Sequence, residues 1–574
     1  MNLKRLFKMI LNLTFVLLTI IIFYSCSEDH EKFSNPILMG FYPDPSICRV
    51  GEDYYLVNST FAYYPGIPVF HSKDLINWEC IGYVLDRPEQ LNLDGLQVSR
   101  GIFAPAIRFN NGMFYVTCTL VDRGGNFVVR SKNPAGPWSD ITWLPTVNGI
   151  DPSLFFDDNG KAYIIYNSDA PENKPLYSGH RTIRIVEFCT DSMKVISNNN
   201  IIVNGGVDIS KKPVWIEGPH IFKKDGLYYL SAAEGGTAED HSQVIFRSEE
   251  VMGPYLPYDK NPVLTQRNLD PGRPNPITST GHADFVTTTD GEWWAVFLGC
   301  RPYPPYGANN YNTGRETFLA PVKWIDGWPV INPDNVEVQY FYSTPFCGTK
   351  LRPDNHYSGN FELSDNFTSG SLSRDWAFLR TPVENWYNID PVKGNLTLNL
   401  RPETCAGNGN PSFLGHRQQH QISSASVSME FNALYSNEKA GLLIFQNEEH
   451  YYSLCKTLKN NLPFIMLLKS GKKDDGEISE DVLAEKSIQS GVAGIFLKIE
   501  SDGGKYSFYF SEIPGKWELL KDNVDGTFLS TKTSGGFVGS MYALYATSSG
   551  YKSDNEVVYN WFSYKGDDII YRKQ

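Results

Sequence analysis

A chain of 574 residues is too long for one ordinary hydrophobic core and implies two large domains. Aromatic residues make up 14% of it, with 33 Tyr, 34 Phe and 12 Trp beside 48 Gly and 35 Pro, a mixture that favours an all-β protein with many tight turns. The formal charge is −13 with no clustered Lys/Arg stripe, which argues against nucleic acid as a partner and suits a neutral polymer such as a polysaccharide.

The chain opens as an export signal over residues 1–25. Lys4, Arg5 and Lys8 form a basic region, and an apolar run from Met9 to Tyr24 leads to Ser25-Cys26. The pattern resembles a bacterial lipobox, in which Cys26 is lipidated and becomes the new N-terminus. Tyr24 is bulkier than many lipoboxes allow, so a plain secretory signal or membrane anchor is the alternative. Ser27-Glu28-Asp29 resembles an acidic surface-export tag. The expectation is an exported bacterial lipoprotein of the outer membrane, surface-facing or periplasmic, that meets the membrane only through Cys26.

From residue 35 to about 345 one phrase returns five times: a short apolar strand, a turn with Gly, then an aromatic-rich strand. The copies begin at Asp44-Pro-Ser-Ile, Phe103-Ala-Pro-Ala-Ile, Asp151-Pro-Ser-Leu, Glu217-Gly-Pro-His-Ile and His282-Ala-Asp-Phe. Their turn glycines are Gly51, Gly112, Gly160, Gly226 and Gly291, spaced 48 to 66 residues apart. A sheet-forming unit repeated at that period predicts a five-bladed β-propeller, whose innermost strands converge on one central channel. Residues 346–359 read as a linker rich in Pro, Gly and polar residues. Alternation returns in 360–574, at Leu396-Thr-Leu398-Asn-Leu400 and Val427-Ser-Met429-Glu-Phe431 for example, and predicts a second all-β unit, a two-sheet sandwich. The cysteines after Cys26 are scattered, with no Cys-x-x-Cys and no zinc-type His spacing, and read as buried thiols.

Convergence at the axis is what gives the repeat its chemistry. A single Asp-Pro is more often a turn or strand cap than a catalytic group. Asp44, Asp151 and Glu217 recurring in register would instead meet around one channel, together with His282. Two carboxylates across a pocket can hydrolyse a glycosidic bond, one protonating the leaving oxygen and the other activating water. Glu217 lies in Val214-Trp-Ile-Glu-Gly-Pro219, where burial would raise its pKa as a general acid requires. Asp44 opens an inner strand and would act as base. Asp151 is a third acid, whose charge would help keep Glu217 protonated.

These strings resemble glycoside hydrolase family 43. Tyr-Pro-Asp44-Pro-Ser, Ile-Asp151-Pro-Ser-Leu-Phe-Phe-Asp-Asp and Ile-Glu217-Gly-Pro-His look like its three acidic motifs; Ser59-Thr60-Phe61, Thr280-Gly-His282-Ala-Asp and Gly314-Arg315-Glu316-Thr317 also match. The resemblance implies an inverting, pentose-removing propeller with Asp44 as base, Asp151 orienting the acid and Glu217 as acid. Trp376-Ala-Phe-Leu-Arg-Thr-Pro382 and Arg417-Gln-Gln-His420 resemble the concanavalin-like, jelly-roll sandwich appended to β-xylosidases of the family. Two departures touch the pocket. Phe103 stands where many relatives carry Trp, and Ala62 where Glu is common. The resemblance further implies no cofactor for the chemistry, a hydrated structural calcium near His282, and substrate contacts from Arg315. Without the resemblance, His282 could simply bond a carboxylate and Arg315 could lie on the surface. Phe61, Phe103, Tyr63, Tyr64, Tyr303 and Tyr306 are candidates for the sugar-facing wall.

The favoured reading is therefore an exo-acting glycosidase that releases β-D-xylose or α-L-arabinofuranose from plant cell-wall oligosaccharides or polysaccharides. The rival is a non-catalytic glycan-binding lipoprotein, whose signature would be a missing carboxylate. A fructan-cleaving propeller would need an Asn-Asp-Pro-Asn-Gly entry, and a serine hydrolase a Gly-x-Ser-x-Gly elbow. Neither motif is present.

Overall fold

The computed structural model describes residues 31–572 other than 347, 351, 474, 475 and 477, so the export-signal and lipid-anchor reading lies outside the described residues. Five antiparallel sheets follow one another along the chain, each built from consecutive strands except the first, which leaves out Tyr63–Tyr64. Their innermost strands are Ser46–Val50, Ala106–Asn110, Ile150–Phe156, Glu217–Lys224 and Thr278–Thr287, which pack against one another around the axis. The turn glycine of every repeat has a left-handed backbone, from φ 65° at Gly51 to φ 88° at Gly291. At Asn111-Gly112 and Asp225-Gly226 both turn residues have positive φ, the twist that joins two strands most tightly. The glycines that mark the repeat in the sequence are thus required by turn geometry.

The ring closes by bringing its ends together. Lys32–Ser34 pairs antiparallel with Phe341–Ser343. Asn35 donates to the Leu319 carbonyl at 2.8 Å and accepts from the Leu319 amide at 2.9 Å, in the third strand of blade five. Further in, the Ser46 hydroxyl donates to Asp284 at 2.7 Å, tying blade one to blade five.

Two sheets form the second domain. One, from Glu362–Asp365 to Glu556–Gly566, belongs wholly to the C-terminal region. Its inward residues Leu396, Leu398, Val427 and Met429 are fully buried, as the sequence alternation requires. The other runs across the domain boundary: its last strand is Tyr63–Tyr64 of the first propeller blade, paired through Phe378↔Tyr64 and Leu379↔Tyr63. A shared apolar cluster fills the junction, with Phe41, Phe61 and Tyr63 from the propeller against Leu379, Phe413 and Met541.

A buried ionic knot locks the same junction. Arg301, 1% exposed, donates to Glu316 at 2.6 and 2.9 Å, to Asp568 of the C-terminal domain at 2.7 Å, and to the Gln419 carbonyl at 2.8 Å. Removing the guanidinium leaves two buried carboxylates unpaired. Arg301→Met is expected to lower the unfolding free energy by about 3–5 kcal/mol in denaturant titration, whereas breaking an exposed pair such as Lys174–Glu172 is expected to change it by less than about 1 kcal/mol.

Candidate active site

The inner strands present their first residues to the channel through a repeated backbone irregularity. Asp44 (φ 51°), Asp151 (φ 54°), Gly218 (φ 56°) and His282 (φ 53°) all lie in the left-handed region at equivalent positions, two residues ahead of Ser46, Ser153, His220 and Asp284. The pairing register shifts at the same places, between Ile150 and Ser153, Glu217 and His220, and Gly281 and Asp284. Bulges of this kind re-aim a side chain at the end of a strand. They also refine the sequence register. In blade four the special backbone position belongs to Gly218, and Glu217 stands one residue earlier. The reason is steric, because a Cβ on Gly218 would sit 2.8 Å from the His282 ring.

Asp44, Asp151 and Glu217 open onto one cavity of about 390 Å³ and are 5–6% exposed. Their environments differ. Burial alone would raise Asp44, but the Arg315 guanidinium 3.1 Å away, His282, and the Ser59 hydroxyl donating at 2.6 Å hold its pKa below the ordinary carboxylate range. Burial pushes Asp151 upward, against the Gly218 amide that donates to it at 3.0 Å. Burial, reinforced by the negative charges of Asp151 and Asp44, raises Glu217 to about 8. One carboxylate is held ionised beside another held protonated, the arrangement that acid–base hydrolysis needs.

The cavity wall is aromatic. Phe61 and Phe103 meet edge to face at 5.1 Å, and Phe537, from the C-terminal domain, stacks on Phe61 at 5.7 Å. Arg315 lies over Phe537 at 5.4 Å, and its Nε, buried, has no hydrogen-bond partner. Of the aromatic candidates, Phe61 and Phe103 line the cavity. Tyr63 is buried in the domain junction, Tyr64 pairs into the sandwich sheet, Tyr303 packs on Gly503-Gly504, and Tyr306 donates to Asn275 outside the cavity. Those four have partners elsewhere because their segments are sheet or interface. Sequence reading missed Arg100, Trp215, Thr237 and Phe537 among the lining residues. Trp215 could have been noticed as a large ring two residues before Glu217. Phe537 carries no sequence signal, because only domain packing brings it there.

Further along the inner strands lies a buried ionic cluster. Arg108 donates to both Asp284 oxygens at 2.8 and 3.0 Å and contacts His220 at 3.0 Å, holding Asp284 down at about 2 despite its burial. His282 sits beside Asp44 and Asp151 on the ring above. Among the described residues no group of three or more His, Cys, Asp or Glu is placed to hold a metal. Calcium takes six to eight oxygen ligands, so a hydrated calcium held here would meet the protein at His282 and take most of its ligands from water.

A five-bladed propeller with a carboxylate trio on its axis and a sandwich closing the pocket defines a class of carbohydrate-cleaving enzyme. The sequence model of Glycosyl hydrolases family 43 matches residues 33–329, and that of the Beta xylosidase C-terminal Concanavalin A-like domain matches residues 364–565. The chain belongs to glycosyl hydrolase family 43, whose chemistry needs no cofactor. It is 40% identical over 540 residues to a "Xylosidase/arabinosidase" of Butyrivibrio fibrisolvens, covering 92% of this chain and 98% of that one. It is 36% identical over 541 residues to the "Non-reducing end alpha-L-arabinofuranosidase BoGH43B" of Bacteroides ovatus, covering 93% and 95%. A crystal structure of a GH43_12 protein from a capybara gut metagenome superposes with a TM-score of 0.83 at 40% identity, covering 92% of this chain and 97% of that one.

Asp151→Asn keeps an acceptor for the Gly218 amide but removes a negative charge from Glu217. In a carboxyl NMR titration the Glu217 midpoint is expected to fall from about 8 by about one pH unit. An unchanged midpoint would mean that the Asp151 charge does not contribute and that burial and Asp44 raise it.

Proposed function

We propose that this enzyme is an exo-acting, inverting glycosidase that removes β-D-xylose or α-L-arabinofuranose from the non-reducing ends of plant hemicellulose or pectin side-chain fragments. The observation that carries the roles is the opposite displacement of two carboxylates in one pocket. Glu217, protonated up to about 8, donates its proton to the glycosidic oxygen as the bond to the sugar breaks. Asp44, ionised, takes a proton from a water that attacks the anomeric carbon from the opposite face. Asp151 accepts from the Gly218 amide and so fixes the backbone next to the acid, while its charge favours the protonated acid. The free Nε of Arg315 suits a sugar hydroxyl, and Phe61 and Phe103 give the ring an apolar wall. Phe537 narrows the cavity from the sandwich side, which suits removal of a terminal unit rather than cleavage within a chain. The pentose assignment leans on the relatives, which are described as a xylosidase/arabinosidase and an α-L-arabinofuranosidase.

The active protonation state has Glu217 neutral and Asp44 charged. kcat/KM is therefore expected to fall as pH rises through about 8, where the acid loses its proton, and to fall on the acidic side only below the ordinary carboxylate range, where Asp44 gains one. The test compares wild type and Glu217→Ala on 4-nitrophenyl β-D-xylopyranoside, 4-nitrophenyl α-L-arabinofuranoside and pentose oligosaccharides, with the anomer of the first-formed sugar read by NMR. Oligosaccharide cleavage is expected to drop by about 10²–10⁴-fold in the variant and aryl glycoside cleavage by less, because nitrophenolate needs little protonation. Retention of configuration, or an unaffected variant, would overturn these roles.

We also infer export and lipid anchoring at Cys26, on the basic start, apolar run and Ser25-Cys26 of the sequence. Labelled palmitate is expected in the wild-type protein and absent from Cys26→Ala, which would leave the membrane fraction.

A further inference from the structure

The cavity has a second aromatic element that the reaction as described leaves unused. Trp215 lines the cavity two residues before Glu217 and is 37% exposed, whereas Phe61 in the same cavity is 1% exposed. Among the described residues the only other exposed tryptophan is Trp143, on the outer strand of blade two. Leaving a large ring in water at a pocket's edge gains nothing for folding. The ring is nevertheless held in place on several sides. Its backbone is left-handed (φ 50°), a conformation that costs a bulky residue free energy and persists only where the surroundings enforce it. The Trp215 amide donates to the Gly179 carbonyl at 2.9 Å. The Arg181 guanidinium covers the ring at 4.6 Å. Arg181 is in turn fixed by Asn167 Oδ1, which accepts from it at 3.1 and 2.7 Å, and by Asp169. The amide of Asn167 donates to the Ile216 carbonyl at 2.5 Å, so one side chain braces both the ring's support and the residue between Trp215 and Glu217.

We propose that Trp215 is the platform for the sugar unit on the leaving-group side of the scissile bond, and so sets preference for glycans over substrates with a small leaving group. The inference rests on the acid role of Glu217. A bond protonated by Glu217 has its oxygen at that carboxyl, and the departing unit continues from there toward solvent. The buried phenyl rings hold the terminal pentose deeper in. The half-exposed indole, on the acid's own segment, lies where the next ring passes. A pyranose or furanose unit presents C–H bonds to an aromatic face, and such contact excludes water without a charged partner. Arg181, stacked on the indole, is a positioning residue for the platform.

The test compares a pentose disaccharide with the corresponding pentosyl fluoride, whose leaving group has no ring to stack, in wild type, Trp215→Ala and Trp215→Phe. The ratio of kcat/KM for disaccharide to that for fluoride is expected to fall about tenfold in Trp215→Ala and to recover most of the way in Trp215→Phe. A ratio within about twofold of wild type in the alanine variant, with the fluoride still turned over, overturns the platform and leaves the pentosidase reading standing. A uniform collapse on both substrates in the alanine variant, with a wild-type ratio in Trp215→Phe and in Arg181→Met, would assign Trp215 a folding role and equally overturn it. Wild type inert toward both sugars' fluorides and disaccharides would remove the pentosidase reading and the platform's ligand with it.

Discussion

Three carboxylates buried around one axis cannot all be charged, and much of this molecule is arranged around that constraint. Desolvation raises every one of them. Arg315, His282 and the Ser59 hydroxyl are spent on Asp44, which stays ionised. At Glu217 burial and the negative charges of Asp151 and Asp44 outweigh Arg315 and Arg181, so it keeps its proton. Asp151 receives one backbone amide and is still raised by its burial. The difference in role between chemically similar groups is thus a difference in neighbours. The neighbours come from different blades and from the loops that join them.

The propeller makes that assembly possible because equivalent backbone positions converge. In blades one, three and five a left-handed residue turns a side chain into the channel, and this device serves Asp44, Asp151 and His282. Blade four uses a glycine at that position, which makes room for the His282 ring and moves the acid one residue back along the chain. Below this ring, Arg108, Asp284, His220 and Ser46 form a layer of buried ionic and hydrogen-bonded contacts that joins blades one, two, four and five. Breaking such a pair is costly because the remaining charge has no water to turn to. The carboxylate ring therefore stands on a floor that resists distortion.

The second domain completes the site rather than merely adjoining it. Tyr63–Tyr64 extends the sandwich sheet, and Phe61, two residues earlier, faces the cavity. The same short segment therefore fixes the domains relative to each other and supplies part of the cavity wall. The Arg301 knot and the apolar junction make the arrangement rigid, so that Phe537 can be held beside Arg315 and Phe61 from a different domain.

Sequence alone determined the fold class, the five repeats and the three acids, because each rests on a local rule repeated at a fixed interval. Turn glycines are forced by positive φ, alternating apolar residues by a half-buried sheet, and an acid recurring before an apolar strand stands out through register. Tertiary structure decided what no single segment encodes. Tyr63 and Tyr303 look like pocket aromatics in sequence yet are consumed by an interface and a glycine-lined contact. Phe537 and Trp215 reach the cavity through domain packing and a stack on Arg181. The opposite displacement of the Asp44 and Glu217 pKa values likewise depends on distances between blades. Local backbone chemistry is written in the chain at short range, whereas desolvation and charge pairing depend on which distant residues folding brings within a few ångströms.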